Sequence, residues 1–286
     1  MSGRGSRLAL AGCRWGTERT VGGFDQVAGL AEQVRQGAEG DATVSEDGAM
    51  RWGILPGSGP SADEIWLTAT WPFVREQLPE PPAMVVELGC GEAGGHIAAL
   101  LDAGYDALGV DPEAPGRPGY QRIAFEDHVP DAPLDAVIAS LSLHHVADPA
   151  TVLDHIRELL APGGTLIVIE WISECFDAAT AEWCFRHEVR EPTQPGAWLA
   201  ELRREWTESA LSWNAFCRGW RHHHGLHSAS TIRRALEARF VTTHDSSGPY
   251  YFPELLDAPA AVEQAAIDAG TIKAGCLRYA GLRAPR

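Results

Sequence analysis

The sequence predicts an α/β fold, with seven strands in a mostly parallel sheet and helices on both faces. Short apolar runs rich in Val, Ile and Leu recur between residues 83 and 283. Segments with helical periodicity, each with its own start and stop residues, separate most of them. The runs are nearly continuous in their apolar character, so both faces of the sheet must be covered.

The elements follow in order. Residues 1–60 are rich in Gly and polar residues, and one amphipathic helix is expected at 24–37. A second helix is expected at 61–78, capped by Ser61 and ended by Pro79-Glu80-Pro81-Pro82. Together, residues 1–80 read as a tail and helical extension ahead of the main domain, 81–286. Within that domain strands are expected at 83–88, 105–111, 120–125, 134–140 and 165–171. Helices are expected at 94–104, closed by Gly104, and at 149–164, opened by Pro149 and stopped by Pro162-Gly163-Gly164. Residues 172–228 then interrupt the rhythm and read as a Trp-rich helical cap inserted after the fifth strand. In it Trp198, Leu202, Trp206, Trp213 and Trp220 recur at steps of 4, 4, 7 and 7, which places them on one helical face. The alternation resumes with a helix at 228–238, a strand at 239–245, a helix at 258–270 and a strand at 274–283.

Composition narrows the function. The chain of 286 residues carries a net charge of −16, which disfavours nucleic acid and anionic membrane surfaces as partners. No run approaches the length of a membrane span. The six cysteines are scattered, without a CxxC pair, as in a chain kept reduced in the cytoplasm. A small neutral or cationic molecule is the expected partner, bound by a monomer or homodimer.

The loop after the first strand, Gly89-Cys90-Gly91-Glu92-Ala93-Gly94-Gly95, lacks the Lys-Ser/Thr of a P-loop. Its glycines alone fit a dinucleotide site. Glu87 changes that reading, because a carboxylate there repels pyrophosphate and attracts an ammonium group. Asp111, twenty residues after Gly91, suits ribose hydroxyls. A nucleoside with a cationic amino-acid tail satisfies both, and S-adenosylmethionine is such a molecule.

The blocks "VVELGCGEAGG", "ALGVDP", "FEDHVP", "LDAVIASLSLHHV" and "LLAPGGTLIVIEW" resemble, in this order, the class I S-adenosylmethionine-dependent methyltransferases. Among these they are most similar to small-molecule enzymes of the ubiquinone-biosynthesis type. The resemblance implies a Rossmann-like sheet whose last strand is inserted antiparallel. It also implies that Glu87, Gly89 and Gly91 line the methionine end of the cofactor and Asp111 the ribose. Phe125 and Glu126 would border the adenine, and Ser140 would sit beside the cofactor. Ala93 stands where relatives carry a third glycine, and Ala124 where many carry an acid.

Methyl transfer needs an aligned acceptor and sometimes a base. His144, His145 and Glu170, at the ends of the fourth and fifth strands, are the candidates, against a packing role for the histidines and a rim role for Glu170. Trp171, Trp206 and Trp213 are the expected acceptor walls, within a stripe that otherwise packs the cap. His222, His223, His224 and His227 read as a polar helix end, since consecutive histidines diverge around a helix and no metal is expected. A nicotinamide oxidoreductase, a cyclase or lyase of this fold, and a non-catalytic binding protein remain as alternatives.

Overall fold

The computed structural model describes residues 59–191 and 197–284. The helix expected at 24–37 lies outside them. Seven strands form one sheet in the order β3-β2-β1-β4-β5-β7-β6: β1 (Met84–Leu88), β2 (Asp106–Val110), β3 (Tyr120–Gln121), β4 (Leu134–Ser140), β5 (Leu160–Trp171), β6 (Phe240–Gly248) and β7 (Cys276–Arg283). All pairings are parallel except those of β7, which runs antiparallel to both β5 and β6. The fold class and the antiparallel last strand expected from the sequence are both present. The order reverses between β1 and β4, and open α/β sheets bind ligands beyond the strand ends at such a point.

Each central strand feeds both cores. Val86, Leu88, Val137, Ala139, Leu166 and Val168 face α3 (Pro149–Leu159) and α7 (Ala229–Glu237). Their neighbours Val85, Ala136, Ile138, Ile167 and Ile169 face α1 (Ala62–Gln77) and α2 (Ile97–Asp102). This period-two alternation with both sets buried is why the strands read as continuous apolar runs. Ser61 caps α1 in a reciprocal capping box with Glu64, and the helix sinks Trp66, Phe73 and Val74 into the sheet.

Several boundaries move for local reasons. The helix expected at 94–104 begins only at Ile97, because Gly94 and Gly95 adopt φ values of 89° and 55°. The third strand is two residues long and gives way to a short 3-10 turn at Phe125–Asp127. The helix expected to run to 164 stops at Leu159, and β5 takes Leu160 onward as sheet.

Between β5 and α7 lie α4 (Ala178–Arg186), α5 (Leu199–Ser209) and α6 (Trp213–His223). The tryptophan stripe is therefore split across two helices, with Ala210 at φ 55° turning the chain between them. Trp198, Leu202, Trp213 and Trp220 still converge, in an aromatic core shared with Trp171, Phe176 and Tyr251.

The loop from Gly248 to α8 (Ala260–Asp268) carries side chains to this core. Glu263 of α8, fully buried, fastens it: the Tyr250 N–H donates to Oε1 and the Phe252 N–H to Oε2, each at 2.7 Å. Replacing Glu263 with Ala leaves these buried N–H groups without an acceptor. Stability should fall by about 2–5 kcal/mol, read as a lower urea midpoint. Glu263→Gln restores one acceptor and should recover part of the loss.

Candidate active site

At the end of β1, Glu87 is 1% exposed and turned onto the loop that follows it. The His96 N–H donates to its Oε2 at 2.6 Å, and His96 Nδ1 lies 2.9 Å from Oε1. Thr70 of α1 closes the chain, its Oγ1 3.0 Å from His96 Nε2. This close approach explains the doubled glycine: a Cβ on Gly95 would stand 2.3 Å from Glu87 Oε2. Ala93, by contrast, is exposed at the loop's apex, where nothing demands a glycine.

Gly89 and Gly91 carry φ values of 74° and 63°. Asp111, buried at the end of β2, accepts the Gly91 N–H on Oδ2 at 3.1 Å and the Glu113 N–H on Oδ1 at 2.7 Å. Burial raises its pKa above the ordinary carboxylate value, and those two hydrogen bonds work against the rise. Each oxygen keeps a lone pair for another donor.

β4 ends at Ser140, which accepts the Trp66 indole N–H at 3.4 Å. The next residue, Leu141, stands at φ 53°, a conformation that costs a branched residue on the order of 1–3 kcal/mol. Glu170 holds this turn. Its Oε1 accepts the Ser142 and Leu143 N–H groups at 2.8 and 2.5 Å, and its Oε2 accepts the Trp171 N–H at 3.2 Å. His144 Nδ1 lies 2.5 Å from Oε2. A carboxylate that only accepts places the imidazole proton on Nδ1, leaving Nε2 as the ring nitrogen with a free lone pair.

A model of the methyltransferase domain family matches residues 68–239, more than half of the chain. The chain belongs to the methyltransferase domain family. The methyltransferase class expected from the motifs holds, and S-adenosylmethionine is the cofactor that class uses. A ubiquinone biosynthesis O-methyltransferase from Xylella fastidiosa is 31% identical over 111 residues, 34% of this chain and 45% of that protein. A demethylmenaquinone methyltransferase from Clavibacter sepedonicus is 29% identical over 122 residues, 38% of this chain and 48% of its own. The chain thus spans about half the length of the curated relatives it matches. Among solved structures, an S-adenosylmethionine-dependent methyltransferase from Mesorhizobium loti is similar at 20% identity, with a TM-score of 0.45. That likeness covers 75% of this chain and 98% of the other.

The methyltransferase's loop fits the cofactor by its own chemistry. Gly89 and Gly91 place no side chain at the strand end, and Asp111 keeps lone pairs for hydroxyls. Glu126 is exposed on the 3-10 turn, whereas the Phe125 ring is fully buried in the core, edge-on to His155 at 5.5 Å.

A cavity opens beside Ser140, lined by Ala62, Asp63, Trp66, Leu141, His144, His145, Trp171, Trp198, Tyr250, Pro253 and Glu254. Of the expected walls only Trp171 is there. Trp206 and Trp213 lie within the cap instead: the Trp213 indole donates to the Phe176 carbonyl at 2.7 Å and Trp206 stacks on Phe185 at 5.9 Å. Trp66, Trp198, Tyr250, Asp63 and Glu254 were not anticipated. They come from three distant segments, and no local signal in the sequence marks them as neighbours.

Among the described residues no group of His, Cys, Asp or Glu is placed to hold a metal ion. His227 instead donates from Nε2 to the Val146 carbonyl at 2.8 Å, tying the cap to the turn after β4. No helix of the described residues is long and apolar enough to cross a membrane.

His144 and His145 differ despite their adjacency, with ring centroids 4.1 Å apart. Burial first, then His144, His224 and His227, depress the His145 pKa from 6.5 to about 2. The unfolded chain therefore binds one more proton here between about pH 6.5 and 2, so stability falls as pH drops through that window. The slope from His145 is up to about 1.4 kcal/mol per pH unit. Glu254, raised by burial from 4.5 to about 7, contributes the opposite slope between those values. Denaturant titrations across pH of wild type and His145→Asn isolate the histidine: the variant should lose less stability on acidification.

Proposed function

We propose that this methyltransferase methylates an oxygen or nitrogen of a small, partly apolar metabolite held in the cavity beside Ser140. The observation that carries the reading is the His144–Glu170 pair at the wall of an aromatic cavity at the sheet's switch point. Two of the curated relatives are named for quinones, a ubiquinone biosynthesis O-methyltransferase and a demethylmenaquinone methyltransferase, which supports a small-molecule acceptor.

S-adenosylmethionine, when bound, supplies a methyl group made electrophilic by its sulfonium. Gly89 and Gly91 would border its methionine end on the loop that Glu87 fixes through His96, Asp111 would take the ribose, and the stretch at Phe125 and Glu126 the adenine. Ser140 and Leu141 would separate it from the acceptor. His144 takes the acceptor's proton on Nε2, with Glu170 fixing the ring and stabilising the cation that forms. Glu170 is thus a positioning residue, since its oxygens are spent on the turn and on His144. His145 is a weaker choice of base, because a ring depressed to about 2 holds a proton poorly.

Transfer of labelled methyl from the cofactor into fractionated small-molecule extracts tests the reaction. Label appearing in one low-mass product supports it, whereas cofactor binding without transfer to any acceptor would overturn it in favour of a lyase, cyclase or binding protein. His144→Ala should lower kcat by roughly 10²–10⁴-fold with little change in cofactor affinity. Glu170→Gln should lower kcat and also shift its pH profile, which loss of fold alone does not do. Asp111→Ala should weaken S-adenosylhomocysteine binding by about 1–3 kcal/mol in calorimetry.

A further inference from the structure

The cavity's lining is uneven in a way that methyl transfer by itself does not require. Its walls are aromatic: Trp171 stacks on Tyr250 at 5.6 Å and leans on Trp198 at 5.3 Å, and Trp66 meets Tyr250 edge-on at 5.5 Å. Among the described residues its charged lining is two carboxylates, Asp63 and Glu254, with no Lys or Arg.

The two acids are not equivalent. Glu254 is held: the Trp198 and Leu199 N–H groups donate to its Oε2 at 3.1 and 3.2 Å, and Arg190 offsets part of its charge. Asp63, in the first turn of α1, is half-buried, and its carboxylate makes no hydrogen bond or ion pair among the described residues. Burial and its neighbour Glu64 both work against its charge, and no cationic side chain among the described residues works for it. A carboxylate facing an aromatic cavity in this state has no partner among the described residues.

We propose that the acceptor is a protonated amine on an apolar or aromatic body. Its ammonium would be paired with Asp63 and enclosed by the faces of Trp66, Trp171, Trp198 and Tyr250, with Glu254 reinforcing the negative field. Ring faces and a carboxylate together are the chemistry that recognises ammonium groups. A neutral hydroxyl would leave Asp63 desolvated beside it, and an anionic acceptor would be repelled.

The proposal rests on methyl transfer being the reaction, and it completes the proton accounting. An ammonium has no lone pair, so one N–H proton passes to His144 Nε2 in the same cavity. The nitrogen pair then forms the new N–C bond as the methyl's bond to sulfur breaks, and that electron pair stays on sulfur.

The test titrates the full chain, without cofactor, with 2-phenylethylamine and its neutral match 2-phenylethanol at pH 7. Tryptophan fluorescence and heat are followed together. The amine should bind about tenfold more tightly or better, and Asp63→Asn should remove most of that preference. Equal affinity for the two probes, no amine binding at all, or a preference that survives in both Asp63→Asn and Glu254→Gln would overturn the proposal. S-adenosylhomocysteine titrated into the same samples verifies the fold of each variant. If it binds while amines are not preferred, the amine assignment fails and methyl transfer stands. If it does not bind the wild type, the methyl-transfer reading fails, and the amine preference is judged on the probe ratio alone.

Discussion

The arrangement of the active site depends on one buried carboxylate. Glu170 is fully enclosed at the end of β5, and four donors from β5 and the turn after β4 converge on its two oxygens. An ionised acid without these donors would be costly in such a place, so the turn and the acid specify one another. Two consequences follow. Leu141 is kept in a left-handed conformation that its side chain disfavours, which re-aims the chain beside Ser140. The ring of His144 is fixed in one orientation and one tautomer.

The same device recurs around this end of the sheet. Glu87 gathers the N–H and ring of His96, Glu254 the first N–H groups at α5, and Glu263 those of the loop carrying Tyr250. Apolar strands fix where the sheet lies, but they carry no information about the loops beyond their ends. Backbone N–H groups in those loops need acceptors wherever water is shut out. A buried glutamate reaching from a strand or helix meets that need and sets the loop's course. It also explains how part of the net charge of −16 is spent inside the molecule, as a scaffold around the cavity.

The sheet was legible in the sequence because its signal is local. β1, β4 and β5 alternate between two buried faces within a few residues, and Pro82 and Pro133 stand just ahead of the first two. Glu87, Asp111 and Glu170 were legible for a related reason: an acid at the end of an apolar run is out of place unless something uses it. Side-chain partnership was not legible. The spacing of Trp198, Trp206 and Trp213 satisfies one continuous helix, yet Ala210 breaks it, and no glycine or proline at that position announces the break. The cavity's walls were hidden because α1, the cap and the 250–254 loop meet only through tertiary packing.

Adjacent histidines show how far environment overrides identity. His144 and His145 are chemically the same, and the sequence offers no ground to separate them. In the fold, Nδ1 of His144 lies 2.5 Å from the Glu170 carboxylate, which fixes the ring and leaves Nε2 as the nitrogen with a lone pair. His145 meets three other imidazoles and little water, each of which disfavours a charge. A base needs a partner for the cation it becomes, and of the two rings His144 is the one with a carboxylate at hydrogen-bond distance. The distinction comes from β5, 26 residues downstream of His144, whose last turn places Glu170 under one ring and not the other.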